Sequence, residues 1–375
     1  MLFLHCSIFN EMKAFSFLPR FVALAAVVAS AMPGGAFTVI DSLDRLPVAA
    51  AAVYNSRGAM LGITDDAGGF AASVCDYPLS VQCLGYEIAT VLSPQDTVAL
   101  TTRFYNLPET EVSSVPKDGV KVTFFVREYN TMIADGDTTM VLRECMADVI
   151  LPNRPKVKGF KGHNSMRVRN SRNYARYFLR NGTDSVARNV KYESLLSVAH
   201  CDTLLLAEPE RLRGINAGVD SVMKKDTKVV FRKNGAGFFV MRDALAGKEG
   251  HRYSPNALKL FGLTMDFTEL FVSSSFRLNG DYRYRLPDMQ QRSVVISALA
   301  RGKMWKKMLN ARGDIGIHAT IDIYPVDFEY LTVEECRSLE KEDRGSIEWR
   351  IPEWVAPLSP LQGSLVARCM ALPPQ

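Results

Sequence analysis

The sequence lacks most of the short patterns that announce a chemistry. Its seven cysteines include no Cys-x-x-Cys pair, which removes the commonest zinc-ribbon and thioredoxin-like signatures. Histidine is scarce, at five. A zinc carboxypeptidase needs His-x-x-Glu to put two ligands on one metal. The residues three places after His163, His200, His251 and His318 are Met166, Thr203, Ser254 and Ile321. His-Glu-x-x-His is missing too, as are the phosphate-cradling Gly-x-x-x-x-Gly-Lys-Ser/Thr and the Gly-x-Ser-x-Gly elbow. Asp135-Gly136-Asp137 begins like a calcium loop, but the later ligand positions and the distal glutamate are absent, so it reads as a turn. His200-Cys201-Asp202 sets three reactive types in a row, yet neighbours in a strand point to opposite faces. The residues offer no catalytic constellation, no metal site and no cofactor site.

What is present is ordinary in bulk. A chain of 375 residues, 47% hydrophobic and 23% charged, is long enough for two domains with real cores. A net charge of +5 is modest at this length and by itself does not call for a nucleic-acid partner. The N-terminus is more pointed. Lys13 and Arg20 precede the apolar run from Phe21 to Ala29, Ala29-Ser30-Ala31 is small-x-small, and Met32-Pro33-Gly34-Gly35 breaks a helix. That order is a secretory signal over residues 1–31, with Met12-Lys13 the more usual charged leader. The run falls far short of the roughly 20 residues of a membrane-spanning helix, so no transmembrane segment is expected in the mature chain. An exported chain meets an oxidising compartment, where nucleic acid is not an expected partner. Small buried hydrophobes are nonetheless the reading of most of the cysteines.

Residues 36–103 read as short strands and turns. Val48 to Tyr54 is an apolar run, Met60 to Ile63 a strand, and Thr64-Asp65-Asp66-Ala67-Gly68-Gly69 a tight turn. Phe70 to Val74 and Leu79 to Leu84 flank Asp76-Tyr77-Pro78 as a hairpin would. The spacing suits a small β-sandwich. These residues carry a resemblance. Val39-x-Asp41, Pro47 with Ala51-x-Val53, Gly58, Gly62, Thr64-Asp65-x-x-Gly68-x-Phe70 and Leu84-Gly85-Tyr86 together resemble the carboxypeptidase regulatory-like domain. Phe37 departs from the glycine that usually opens that family's first strand. The resemblance implies a transthyretin-like β-sandwich of the Gram-negative envelope, generally non-catalytic.

Residues 104–119 are polar and proline-marked, a linker. They resemble the segment after this module in TonB-dependent transporters, but residues 120–375 cannot supply a plug and a barrel of about 22 strands. Instead they read as an α+β domain on an antiparallel sheet, making the chain mainly β / α+β. Val122 to Tyr129 and Thr139 to Arg143 flank Asp135-Gly136-Asp137 as a hairpin. Ile315, Ile317, Ala319, Ile321 and Ile323 alternate with polar residues as a half-buried strand. Ser254-Pro255 and the capping box Thr332-x-x-Glu335 mark helix starts. The run Val126 to Thr131, with Asp137-Thr138 and Arg143-Glu144, resembles uncharacterised envelope proteins bearing the same leading sandwich.

One feature stands out in residues 153–183. Arg154, Lys156, Lys158, Lys161, Arg167, Arg169, Arg172, Arg176 and Arg180 follow one another without an intervening acid, among Tyr174, Tyr177 and Phe178. Arg167, Arg169, Arg172, Arg176 and Arg180 are the candidate anion-binding residues, because guanidinium forks engage phosphate or carboxylate bidentately. In a strand Arg167 and Arg169 share a face, as do Arg172, Arg176 and Arg180. The same run also reads as a solvated strand face whose counter-charges come from elsewhere in the fold. Lys303-Met304-Trp305-Lys306-Lys307-Met308 suits either a membrane surface or the core. The expectation is a non-enzymatic exported protein, periplasmic or outer-membrane associated, with a binding or assembly role. Its partner would be an anionic glycan, lipopolysaccharide or another envelope protein. A carrier of a lipid or other apolar ligand and an undetected hydrolase are the alternatives. N-terminal sequencing of protein from the envelope fraction should begin just after Ala31; an intact Met1 or Met12 on cytoplasmic protein would overturn the leader.

Overall fold

A computed structural model describes residues 34–73, 76–103, 117–152, 157, 166–191, 195–196, 218–224, 227–234, 237–246, 264–278, 286–302, 306, 311–341 and 345–373. The expected leader, most of the linker, the helix start at Ser254-Pro255, the His200-Cys201-Asp202 triplet and the basic residues before Met166 lie outside them.

The first part is built from β1 (Gly34–Asp41), β2 (Ala52–Tyr54), β3 (Met60–Ile63), β4 (Gly69–Ser73), β5 (Leu79–Gln82), β6 (Ala89–Val91) and β7 (Thr97–Leu100). They form two sheets, ordered β4-β1-β7 and β3-β2-β5-β6. Phe37, Val39, Ala51, Val53, Leu79, Val81, Val98 and Leu100 fill the space between them. The expected hairpin across Asp76-Tyr77-Pro78 is not one. Gly69–Ser73 finds its ladder on β1 and Leu79–Gln82 on β2, so the chain crosses from one sheet to the other there. The reason is burial: a sandwich core needs apolar side chains from both sheets, and the crossing supplies both.

Local chemistry holds the turns. The Asp65 carboxylate accepts from the backbone N–H of Ala67 and Gly69 at 2.9 and 2.7 Å. The Thr64 hydroxyl donates to Val48 O and accepts from Ala51 N–H. Gly68 sits at φ +74°, where a Cβ would lie 2.3 Å from Val39 O.

The second part is one ten-stranded sheet. Its strands are β8 (Gly119–Ala134), β9 (Asp137–Pro152), β10 (Arg167–Phe178), β11 (Asp184–Arg188), β12 (Gly218–Lys224), β13 (Thr227–Asn234), β14 (Gly237–Asp243), β15 (Thr264–Phe276), β16 (Met289–Arg301) and β17 (Ile315–Leu331). The order is β11-β10-β9-β8-β17-β16-β15-β14-β13-β12, antiparallel throughout. Asp135 and Gly136, at φ +52° and +87°, make the two-residue turn between β8 and β9. Helix α1 (Val333–Lys341) starts on the expected capping box: Glu335 takes the Thr332 N–H at 2.7 Å, and the Thr332 hydroxyl takes the Glu335 N–H at 3.2 Å. Helix α2 (Pro360–Met370) starts on a second box, Ser359 with Gln362.

Over the central strands both faces of this sheet are buried. The first carries Val122, Phe124 and Val126 of β8, Ala147 and Val149 of β9, Val294 and Ile296 of β16 and the isoleucines of β17 in one cluster with Phe231 and Phe238. The second meets the sandwich: Ala52, Tyr54, Met60 and Ile63 pack with Tyr129, Met140, Leu142 and Val295. This explains two unbroken apolar runs. In β2, Ala51 and Val53 face the sandwich core while Ala52 and Tyr54 face the large sheet. In β9, Met140 to Leu151 is buried nearly throughout because each face has its own cover.

Polar contacts fasten the sandwich at several points. Tyr129 Oη donates to Gly58 O at 2.6 Å, and Met60 N–H donates to Thr131 Oγ1 at 3.1 Å. Gly85, at φ +79°, makes way for the Phe239 ring, which would lie 2.5 Å from a Cβ. Arg232 of β13 reaches Asp41 at 2.7 Å and Asp44 at 2.8 Å, while Tyr86 Oη also donates to Asp41 at 2.9 Å. Asp41 is 1% exposed. Two pieces of the resemblance motif, Val39-x-Asp41 and Leu84-Gly85-Tyr86, thus meet at one carboxylate that also takes the sheet's arginine. Gly68→Val should cost roughly 2 kcal/mol or more from forced positive φ and the clash with Val39 O. Chemical denaturation of the full chain checks it. A change within about 0.5 kcal/mol would show that the turn relaxes freely.

Candidate functional site along the arginine strand

The arginine run folds as β10, and a bulge decides its geometry. Arg167 and Val168 stand opposite Asp148 and Ala147, but Asn170 stands opposite Met146, so Arg169 is an extra residue in the ladder. The insertion shifts the side-chain alternation by one. Arg167, Arg172 and Arg176, which plain alternation splits between faces, therefore all lie opposite Asp148, Glu144 and Met140, residues of one face of β9. It is the second face, the one that also carries the sandwich.

There the arginines meet carboxylates distant in sequence. Arg172 Nε and Nη2 donate to Glu144 Oε2 at 2.9 and 2.6 Å. Arg127 of β8 takes the other oxygen, Oε1, at 3.1 and 2.9 Å. Arg127 is in turn directly opposite Asp322 of β17, and Asp322 opposite Ser293 of β16. Ser293, Asp322, Arg127, Glu144 and Arg172 thus form a straight polar row over five strands. Burial holds the Asp322 carboxyl above the usual range, against hydrogen bonds from Ser293 and Gln291 and the charge of Arg127.

Arg176 forks onto Asp184 of β11, both bonds 2.9 Å, and Arg368 of α2 joins the same carboxylate at 3.0 Å. The Arg176 hydrogen bonds and, after them, Arg368 pull the Asp184 carboxyl down to about 2. Arg169 Nε lies 3.8 Å from Asp148 Oδ2. Arg180 is exposed, and its backbone N–H bonds Asp137 at 2.8 Å.

The remaining donors hold the C-terminal segment. Arg169 Nη2 bonds Gly345 O at 2.7 Å, and Asn170 bonds Ile347 O. Arg127 reaches Ala356 O, Arg103 reaches Val355 O at 3.3 Å, and Arg188 reaches Pro373 O at 2.6 Å. Trp349 lies under the Arg172 guanidinium, 4.7 Å to the ring centroid. Below this segment Phe125, Met146, Tyr324 and Val355 form a cluster of their own. Much of the arginine run is therefore spent inside the molecule, on Glu144, Asp184 and backbone carbonyls. The acids were not legible in advance: Glu144 and Arg172 are 28 residues apart, and only strand pairing joins them.

Among the described residues acids remain fewer than arginines here. Glu144 serves two arginines and so does Asp184. Among the described residues no carboxylate lies in ion-pair distance of Arg167 or Arg180. The Arg172 side chain is 42% exposed although paired.

Charge removal should separate the two shared acids. Glu144 is 6% exposed, so Glu144→Gln strands Arg127 and should cost about 3–5 kcal/mol in a denaturant melt. Asp184→Asn, at the surface, should cost at most about 1 kcal/mol. Because the folded Asp184 pKa is below its unfolded value, its contribution is whole above about pH 4 and is lost as the pH falls toward 2. The melt of Asp184→Asn should lack that part of the acid dependence. Equal costs for the two variants would refute the distinction.

No protein-family model matches this chain, and no curated protein matches it. Among solved structures, one of lipovitellin, described for its lipid–protein interactions, is similar over 64% of this chain and 28% of its own length, at 8% identity and a TM-score of 0.29. Nothing is carried over to this chain from a similarity at that level.

Proposed function

We propose that this chain is a non-enzymatic binding or assembly protein of the cell envelope, exported to the periplasm or outer membrane, whose arginine strand takes an extended polyanion. The leader pattern at Lys13 to Ala31 supports export, and the resemblance to the carboxypeptidase regulatory-like domain supports a non-catalytic role. The observation that carries the ligand class is that, among the described residues, acids are fewer than arginines around β10, where Glu144 and Asp184 are each shared by two arginines. From Arg167 to Phe178 the strand spans about 36 Å, at about 3.3 Å per residue, with Arg180 in the turn beyond it. A single phosphate cannot use charge spread over that length, but an acidic glycan or the phosphates of packed lipopolysaccharide can. Arg172 over Trp349 marks the middle of the row.

The test uses Arg167 and Arg180, which have no carboxylate in ion-pair distance among the described residues. In the full chain, Arg167→Gln with Arg180→Gln should weaken binding to polygalacturonate or purified lipopolysaccharide about tenfold at low salt. Raising the salt should weaken the wild type steeply. Because neither makes an ion pair among the described residues, the melt should move by less than about 0.5 kcal/mol. Unchanged binding in the double variant, or no wild-type binding at low salt, overturns the reading.

A further inference from the structure

On the second face of the large sheet, a second polar row runs beside the first. Glu269 of β15, Ser297 of β16 and His318 of β17 stand directly opposite one another, and Thr131 of β8 comes next. Ser297 Oγ and His318 Nδ1 are 3.0 Å apart. Glu269 is the direct cross-strand neighbour of the same serine; burial raises its pKa, with Ser297 acting to lower it and Asp243 to raise it further. Burial lowers the His318 pKa. The row borders the rim of the sandwich, since Thr131 accepts from Met60 N–H of β3.

The order of groups excludes acyl transfer by a serine triad. The carboxyl lies on the serine side of the row, not on the histidine, and Ser297 is 3% exposed. The order is that of a wire. A serine hydroxyl has one proton, so it can donate to only one neighbour while accepting from the other. With Glu269 protonated, the acid donates to Ser297, Ser297 donates to His318 Nδ1, and the imidazole proton sits on Nε2. With Glu269 ionised, Ser297 donates to Glu269, Nδ1–H donates to Ser297, and Nε2 is bare.

We infer that Glu269, Ser297 and His318 form a proton relay whose outer end is His318 Nε2. Going from the first state to the second, the Glu269 proton moves to Ser297, the Ser297 proton moves to Nδ1, and the Nε2 proton leaves to solvent. One proton is lost, and every other bond made is matched by one broken. The half-buried setting favours the neutral acid with neutral imidazole over the carboxylate with imidazolium, because neither charge is well solvated. A proton arriving at Nε2 is therefore passed inward, and His318 changes tautomer before it becomes charged. The rim position presents a hydrogen-bond acceptor above the transition and a donor below it.

The charged groups that face the row from neighbouring elements are few. On β14 there is Asp243, whose pKa is raised by burial first, with Lys228 of β13 and Asp66 of the sandwich acting on it. Toward the other rim Arg301 of β16 holds Asp266 of β15 and Asp314 before β17, at 3.3 and 2.9 Å. On β17 itself Asp322 lies four residues on, in the first row. Strand β3 of the sandwich carries no ionisable side chain, and β8 offers Thr131 and the Tyr129 hydroxyl.

Nitrogen NMR of the full chain labelled at histidine tests the relay, with His318→Gln assigning the signal and melts confirming that each variant folds. As the pH is lowered, wild-type His318 should pass from the Nδ1–H to the Nε2–H neutral tautomer before any imidazolium appears. Ser297→Ala should abolish that exchange and go directly to imidazolium. Glu269→Gln should keep one tautomer throughout. A wild type that titrates directly from one neutral tautomer to imidazolium, or a Ser297→Ala variant that still exchanges tautomers, overturns the relay whatever the anion-binding result.

Discussion

Slipping any central strand of the large sheet by one residue would carry Arg127, Glu144 or Asp322 away from their partners and onto the face that holds Phe124, Ile321 and the Glu128–Arg143 pair. An uncompensated charge there costs several kcal/mol, so the row from Ser293 to Arg172 sets the register of five strands together. Much else depends on that register. It puts Met140 and Leu142 under the sandwich, Met146 under the C-terminal segment, and Arg176 within reach of Asp184. The bulge at Arg169 belongs to the same constraint, because without it Arg167 and Arg172 would lie on opposite faces.

A ten-stranded sheet with two buried faces needs two covers, and among the described residues the second face has four. The sandwich takes the middle, the segment from Gly345 to Ala356 takes the β8–β10 side, α1 covers Ile150 of β9 and Leu331 of β17, and α2 packs against β10 and β11. The joints between covers and sheet are polar. Arg232 with Asp41, Tyr129 with Gly58 O, and arginines with carbonyls of the C-terminal segment satisfy groups that would otherwise be buried without partners. Such contacts give orientation, while the apolar clusters give most of the adhesion. The outcome is a sandwich held at several separate points on its broad side.

Arginine serves two purposes in this arrangement. Its guanidinium can put two nitrogens on one carboxylate oxygen and still leave a third for a carbonyl, as Arg127 shows with Glu144 and Ala356. Where two forks share one acid, the structure is satisfied by hydrogen bonds but not by charge, and that imbalance is what the proposed polyanion would relieve. The proposed Glu269–Ser297–His318 relay uses the opposite economy: it favours a neutral acid with a neutral imidazole over a carboxylate with an imidazolium, because neither charge would be well solvated.

Sequence alone determined the local pieces of this protein. The strand alternation of Ile315 to Ile323, the Asp135-Gly136 turn, the capping box at Thr332 and the positive-φ turn at Gly68 each depend on residues close together, whose periodicity and backbone preference act without the rest of the fold. It also showed that arginines crowd Arg167 to Arg180. It could not show what they face, since Glu144, Asp184 and the carbonyls of the C-terminal segment come from strands and segments distant in the chain. Nor could it show that Leu79–Gln82 leaves its neighbour for another sheet, or that Glu269, Ser297 and His318 align. Those outcomes follow from strand order and register, which are decided by burying both faces of the sheet at once, a requirement no local window of residues contains.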